Sequence, residues 1–384
     1  MKVAAQPQLW IKPGVLAELP AILRQEGISA PAVVTGGRSI RGREEWGVLT
    51  DALVGGNVDF LDITVRGEPS PEVVNTAVTD LRRDLPDCDG VVAIGGGSVI
   101  DAGKAIAAGM AMAGKGESAF DITRYLEGVG DLQPDGSTLP LIALPTTAGT
   151  GSEATKNAVL SSVGPEGFKK SLRHDRFVPR LAILDPRLHM GCPPGITVAS
   201  GMDAITQLLE SYLSPEANEI TDALALQGLR AAGRAFPGLA GGDDSEELRR
   251  DMALAAYLSG VCLASAGLGV VHALASPLGA LHAIPHGVVC ALLVGPAMEG
   301  VIRAPAKDHR RGGIAARMAA AAEALGVPED LPGWLRGCAQ GLPRLSSYGF
   351  SPSEIPEIVR QGGLKNHPVT LDEGQCAALV EEVL

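Results

Sequence analysis

The stretch "DGVVAIGGGSVIDAGKAIA", residues 89–107, decides how the N-terminal half is read. A short apolar run ends in three glycines, Gly95, Gly96 and Gly97, and gives way to helix-forming residues from Ser98 onward. Strand, glycine loop and helix, in that order, let backbone approach a ligand closely. They also aim free N–H groups and the helix dipole at it, which suits a pyrophosphate. Asp101 falls in the first turn. The stretch matches neither G-x-G-x-x-G nor the Gly-Lys-Ser/Thr ending of a P-loop, and spacing alone leaves a plain glycine-rich turn as the alternative.

Working outward, "APAVVTGG" (30–37), "LPLIALPTT" (139–147) and "RLAILDP" (180–186) are further short apolar runs. "SPEVVNTAVTDLRRDL" (70–85) opens with a Ser cap and a Pro at the first helical position, then carries apolar residues at helical spacing. Strands alternating with helices imply parallel pairing in a doubly wound α/β layer. After "MGCPPGI" (190–196) the texture becomes helical, with segments expected at 201–213, 218–235, 245–264 and 312–325. The expectation is two domains: an α/β dinucleotide-binding unit over 1–192 and an all-α unit over 193–384.

Composition narrows the ligand class. The 384 residues are 46% apolar, 20% charged and 3% aromatic, with a formal charge of −12. Without basic runs or stacking residues, nucleic acid and anionic membranes are excluded as partners, and small molecules remain. The six cysteines form no CxxC pair and read as reduced, mostly structural thiols. "MKVAAQPQLWIKPG" has no apolar core of signal-peptide length, so the cytoplasm is expected. Residues 259–284 lack Asp, Glu, Lys and Arg, and their Gly, Pro, Ser and His content suits a buried helix pair better than a membrane span.

"LPTTAGTGSEAT" (144–155) offers the hydroxyls of Thr146, Thr147, Thr150 and Ser152 at a strand's C-terminal end. Such a loop binds ribose and phosphate oxygens or is a hydroxyl-rich connection; two loops at that edge favour a nucleotide. At the end of the first strand stand Gly36, Gly37, Arg38 and Ser39, where many dinucleotide folds place an acid against the ribose. Small residues and a guanidinium favour a 2′-phosphate, hence NADP over NAD; the alternative is a solvated Arg38.

Three of the seven histidines, His272, His282 and His286, lie within fifteen residues of apolar sequence. Asp203 and Gln207 stand one turn apart on a helix in "SGMDAITQLLESYLS" (200–214). Imidazole and carboxylate suit borderline divalent metals, and packed helices bring dispersed ligands together; satisfied core histidines are the alternative. Lys156, and Lys169 or Lys170, read as solvated surface charges, with capture of an anionic substrate as the other option.

"GGGSVIDAGKAIA", "PTTAGTGSEAT", "AILDP", "GMDAITQLLESYLS" and "HALASPLGALHAIPHG" occur in the order found in iron-containing, group III alcohol dehydrogenases, and the chain resembles that family over essentially its whole length. The resemblance implies a dehydroquinate synthase-like fold: an α/β dinucleotide domain, an all-helical domain and a cofactor cleft between them. It implies reversible alcohol oxidation with NAD(P), a divalent metal, Fe²⁺ or Zn²⁺, and a homodimer or larger homo-oligomer. Carried onto this chain, Gly95 to Ser98 and Asp101 become pyrophosphate-loop residues, Thr146, Thr147 and Ser152 cofactor contacts, and Asp203, Gln207, His272 and His286 the metal positions.

Two departures stand out. The family usually has His where this chain has Gln207, and His where it has Ser276. Asp203, His272 and His286 still supply a carboxylate and two imidazoles, similar to the related glycerol dehydrogenases. Gln207 is then a weak ligand or the holder of a metal-bound water. His282, off the metal set, is expected in the substrate cleft as a proton carrier, making His282 and His286 the catalytic pair. The alternatives are a metal-independent reductase resembling maleylacetate reductase and a lyase resembling dehydroquinate synthase.

Overall fold

The computed structural model describes residues 3–37, 40–114, 120–303, 313–327, 330–363 and 366–384. Its strands are β1 (Gln8–Ile11), β2 (Pro31–Gly36), β3 (Leu61–Val65), β4 (Gly90–Gly95), β5 (Leu141–Pro145), β6 (Asn157–Ser162), β7 (Phe168–Arg173) and β8 (Leu181–Leu184). Six of them form one parallel sheet in the order β1-β8-β5-β4-β2-β3, and β6 and β7 make a separate antiparallel hairpin. Around the sheet lie α1 (Leu19–Glu26), α2 (Glu44–Gly55), α3 (Pro71–Asp84) and α4 (Gly97–Met112).

Successive residues of a strand face opposite ways. Ala32, Val34, Val91 and Ala93 pack with α3 and α4, whereas Val33, Val92 and Ile94 pack with α1 and α2. Both faces are covered, so the central strands read as unbroken apolar runs. Helix α3 starts as its sequence suggests: Ser70 Oγ accepts from Val73 N at 3.3 Å, and Pro71 fills the first helical position. From β2 the chain steps outward to β3, and from β4 it steps the other way to β5. The crevice for a ligand therefore opens outside the C-terminal ends of β2 and β4.

No strand follows β8 among the described residues. The helices there are α5 (Pro186–His189), α6 (Pro194–Leu213), α7 (Glu219–Ala240), α8 (Glu246–Ala266), α9 (Val270–Leu281), α10 (His286–Arg303), α11 (Gly313–Leu325), α12 (Leu331–Cys338), α13 (Ile355–Gln361) and α14 (Glu373–Glu382). Helix α6 is the hub, packed by α7, α8 and α10 around a core that includes Ile205, Leu208 and Leu209. The uncharged stretch 259–284 is the end of α8 and all of α9, bent by 101°. Helix α10 is long and apolar enough to span a membrane, but 61% of it is buried inside the fold, so its apolar surface goes into the core. The two halves meet where the loop after β5 touches α8 backbone to backbone, at Gly151 and Gly260.

Candidate active site

The glycine and threonine loops lie against each other. A Cβ on Gly97 would stand 2.5 Å from Thr150 Oγ1, and one on Gly96 would stand 3.1 Å from Thr147 Oγ1. Helix α4 has Gly96 as N-cap and no side-chain cap, so its first N–H groups are open to an anion. Thr146 Oγ1 is buried without a hydrogen-bond partner in this loop pair. Gly36 and Gly37 at the end of β2 line a crevice with Arg66, Gly67 and Val99, and the described lining contains no carboxylate. Arg38 lies outside the described residues. An open helix start, an orphaned hydroxyl and a crevice at the strand ends fit a dinucleotide.

Asp101 does not reach free into the loop. Its Oδ1 lies 3.4 Å from Nζ of the fully buried Lys104 and also accepts from Ser152 Oγ, while Oδ2 accepts from Val159 N at 3.2 Å. Lys104 Nζ donates further to Ser152 Oγ at 2.8 Å and Thr155 Oγ1 at 3.1 Å. Burial pushes the Asp101 carboxyl up and the Lys104 ammonium down, and each group's charge opposes the other's shift.

The second wall is helical. Asp203 and Gln207 lie buried on α6, His272 is in the first turn of α9, and His286 opens α10. A Cβ on Gly287 would stand 2.5 Å from Ala199 O, so glycine is what lets the start of α10 press onto α6. Asp203 Oδ1 is 3.2 Å from His272 Nε2 and 3.8 Å from His286 Nε2. Glu210, two turns beyond Asp203, sets the first ring: its Oε2 is 2.7 Å from His272 Nδ1, which turns Nε2 toward Asp203.

Asp203, His272, His286 and Cys290 present ligand atoms all within 4.8 Å of one another. Burial opposes charge on Asp203, yet the hydrogen bond to His272 and the nearby His286 hold its carboxyl below the usual range. Burial lowers His286 to about 4. It also opposes a proton on His272, but the neighbouring Cys290 and Asp203 outweigh it and keep this imidazole above its ordinary value. An anionic carboxylate facing Nε2 of a neutral imidazole fits a divalent cation.

One cleft of about 270 Å³ joins the two walls, lined by Gly97, Ser98 and Ser152 on one side and by Gln207, His272 and His286 on the other. Ser276 also lines it. Gln207 lines the same cleft, and its Oε1 accepts from Ser259 Oγ at 2.7 Å. His282 is not part of the described cleft lining. Its Nε2 is 3.0 Å from Glu354 Oε1 and its ring stands edge-on to Phe350, because the chain turns between α9 and α10. Lys169 corrects the surface expectation: only 10% of its side chain is exposed, and it sits in the cleft with Nζ 3.1 Å from Glu68 Oε2. Lys156 pairs with Asp175. Cys290, which α10 sets one turn after His286, also faces this cluster.

The chain matches the family described as "Iron-containing alcohol dehydrogenase" over residues 7–186, and "Fe-containing alcohol dehydrogenase family, C-terminal" over 197–364. It belongs to the iron-containing alcohol dehydrogenase family. It is 40% identical over 243 residues to "Probable alcohol dehydrogenase EutG" of Salmonella typhimurium, covering 63% of this chain and 58% of that protein. Among solved structures it is similar to 1,3-propanediol oxidoreductase, with a TM-score of 0.82, 27% identity and full coverage of both chains. It is also similar to sulfoacetaldehyde reductase from Bifidobacterium kashiwanohense in complex with NAD+, with a TM-score of 0.84, 26% identity and coverage of 100% of this chain and 98% of that one.

Proposed function

We propose that the chain is an NAD(P)-dependent, metal-assisted oxidoreductase that interconverts small alcohols with aldehydes or ketones. One observation carries this reading: a single cleft is lined both by the glycine loop at the start of α4 and by the histidines of α9 and α10. When bound, the nicotinamide exchanges hydride, and an Fe²⁺ or Zn²⁺ ion on Asp203, His272 and His286 supplies Lewis acidity.

The chain's own residues do the rest. Gly95, Gly96, Gly97 and Ser98 hold the pyrophosphate at the helix start, and Thr146, Thr147, Thr150 and Ser152 face the ribose and phosphate oxygens. Asp101 acts through its contacts with Lys104 and Ser152, keeping the two loops in register. Glu210 fixes the ring of His272. Burial of the helical wall limits water at the reacting carbon. His282 positions the turn that carries His286, through its contact with Glu354. Lys169 places a cation in the cleft, where it meets the polar end of a substrate.

Gly36, Gly37 and Arg66 line a crevice whose described residues include a guanidinium and no carboxylate, which supports NADP over NAD. The reading includes a homodimer or larger homo-oligomer in the cytoplasm, checked by sedimentation and by fractionation of the source cells. Turnover is tested on short aldehydes, ketones and hydroxy acids with NADPH and NADH, with and without Fe²⁺ or Zn²⁺, by following reduced nicotinamide. Carbonyl reduction that needs metal and prefers NADPH is expected. Turnover unaffected by chelation defeats the metal part, a clear preference for NADH defeats the NADP part, and no turnover at all defeats the assignment.

A further inference from the structure

His286 and Cys290 stand one turn apart on α10, so their side chains project from one face. Cys290 Sγ lies 3.7 Å from His272 Nε2 and 3.7 Å from His286 Nε2. The thiol is buried and in no disulfide. A tetrahedral zinc site with bonds of about 2.0–2.3 Å has ligand-to-ligand edges of about 3.3–3.8 Å. The two sulfur contacts fall in that range, and the Asp203 contact to His272, at 3.2 Å, and to His286, at 3.8 Å, lie within a tenth of an ångström of it or inside it. At position 207, by contrast, the amide oxygen is engaged by Ser259 Oγ at 2.7 Å.

We propose that Cys290 supplies, as thiolate, the fourth protein ligand of this site, in place of residue 207. The proposal rests on the metal reading above. On loading, the Cys290 S–H bond breaks, its proton goes to solvent, and the sulfur lone pair forms the bond to the cation. A soft sulfur donor among imidazoles moves the site's preference from iron toward zinc. Asp203, His272, His286 and Cys290 would then supply four protein donors to the cation without residue 207.

The full-length protein, stripped of metal and reloaded with Zn²⁺, tests this by zinc-edge X-ray absorption on wild type and Cys290→Ser. Wild type is expected to give one sulfur at about 2.3 Å alongside lighter atoms. The variant is expected to lose the sulfur and to bind zinc at least about 10–100-fold more weakly, since even outer-shell partners carry effects of that size. Stoichiometric zinc with a purely nitrogen and oxygen shell in wild type overturns the Cys290 assignment and leaves the metal reading standing. Wild type that takes up no zinc overturns the Cys290 assignment, and one that takes up no Fe²⁺ either in a parallel reloading overturns the metal reading as well. The wild-type spectrum decides even where the variant fails to fold.

Discussion

Glu210 Oε2 sits 2.7 Å from Nδ1 of His272, with Glu210 buried and His272 nearly so between α6 and α9. The other oxygen of the same carboxylate accepts from Val271 N at 2.8 Å, so one acid fixes both the ring and the start of the helix that carries it. Glu210→Gln keeps the shape and removes the charge. Zinc affinity, measured by competition titration, is expected to fall about 10–100-fold while the melting temperature changes little. Unchanged affinity would mean that this contact does not orient a ligand.

Lys104 has no exposed side-chain surface and answers the charge of Asp101. Lys104→Met leaves that carboxylate buried and uncompensated, at a cost of about 3–5 kcal/mol in urea denaturation. Adding Asp101→Asn to the same chain is expected to recover most of the loss. A double variant as unstable as the single one would show that Lys104 acts by packing alone.

Glu153, beside Ser152, is buried with Oε1 unpartnered, and burial raises its carboxyl to about 7. The folded state holds this proton more tightly than the unfolded chain, whose carboxyl titrates near 4.5. The contribution is therefore fully present below pH 4.5 and lost as pH rises through 7, by about 3 kcal/mol. Glu153→Gln is expected to flatten this slope in denaturation curves taken across that window. An identical slope in the variant assigns the pH dependence elsewhere.

Gly97→Ala places a methyl 2.5 Å from Thr150 Oγ1. The loops must separate, and the KM for nicotinamide cofactor is expected to rise by about tenfold or more, on the scale of 1–3 kcal/mol for overpacking. Thr150→Ala in the same chain removes the oxygen and is expected to restore part of the affinity. No change in cofactor KM for Gly97→Ala would place the cofactor away from this loop.

Much of this architecture is legible in the sequence where burial is two-sided. Strands β2, β4, β5 and β8 announce themselves as apolar runs, and α6 to α8 by their length and spacing. Strands β1 and β3 lie at the sheet edges with partly exposed residues, and the "FKKSLR" of β7 looks like a surface segment, so none of the three stands out. Lys169 was hidden for that reason. Asp203, His272 and His286 are legible as metal-type residues, but Glu210 resembles any helix acid until α9 packs against it. Cys290 carried a readable signal, its one-turn spacing from His286; its meaning depends on where α10 begins, and thiols scattered without a CxxC pair do not point there.

The contact between Gly151 and Gly260 bears on how such chains diverge. A Cβ on Gly151 would stand 2.5 Å from Gly260 N, and one on Gly260 would stand 2.2 Å from Gly151 O. Gly151 also holds φ at 60°. Neither position accepts a side chain while the other keeps its backbone in place, so the two constrain one another across the seam between the halves. A chimera that joins this chain's first half to a relative's second half is expected to fold only where the incoming half brings a glycine at the position of Gly260.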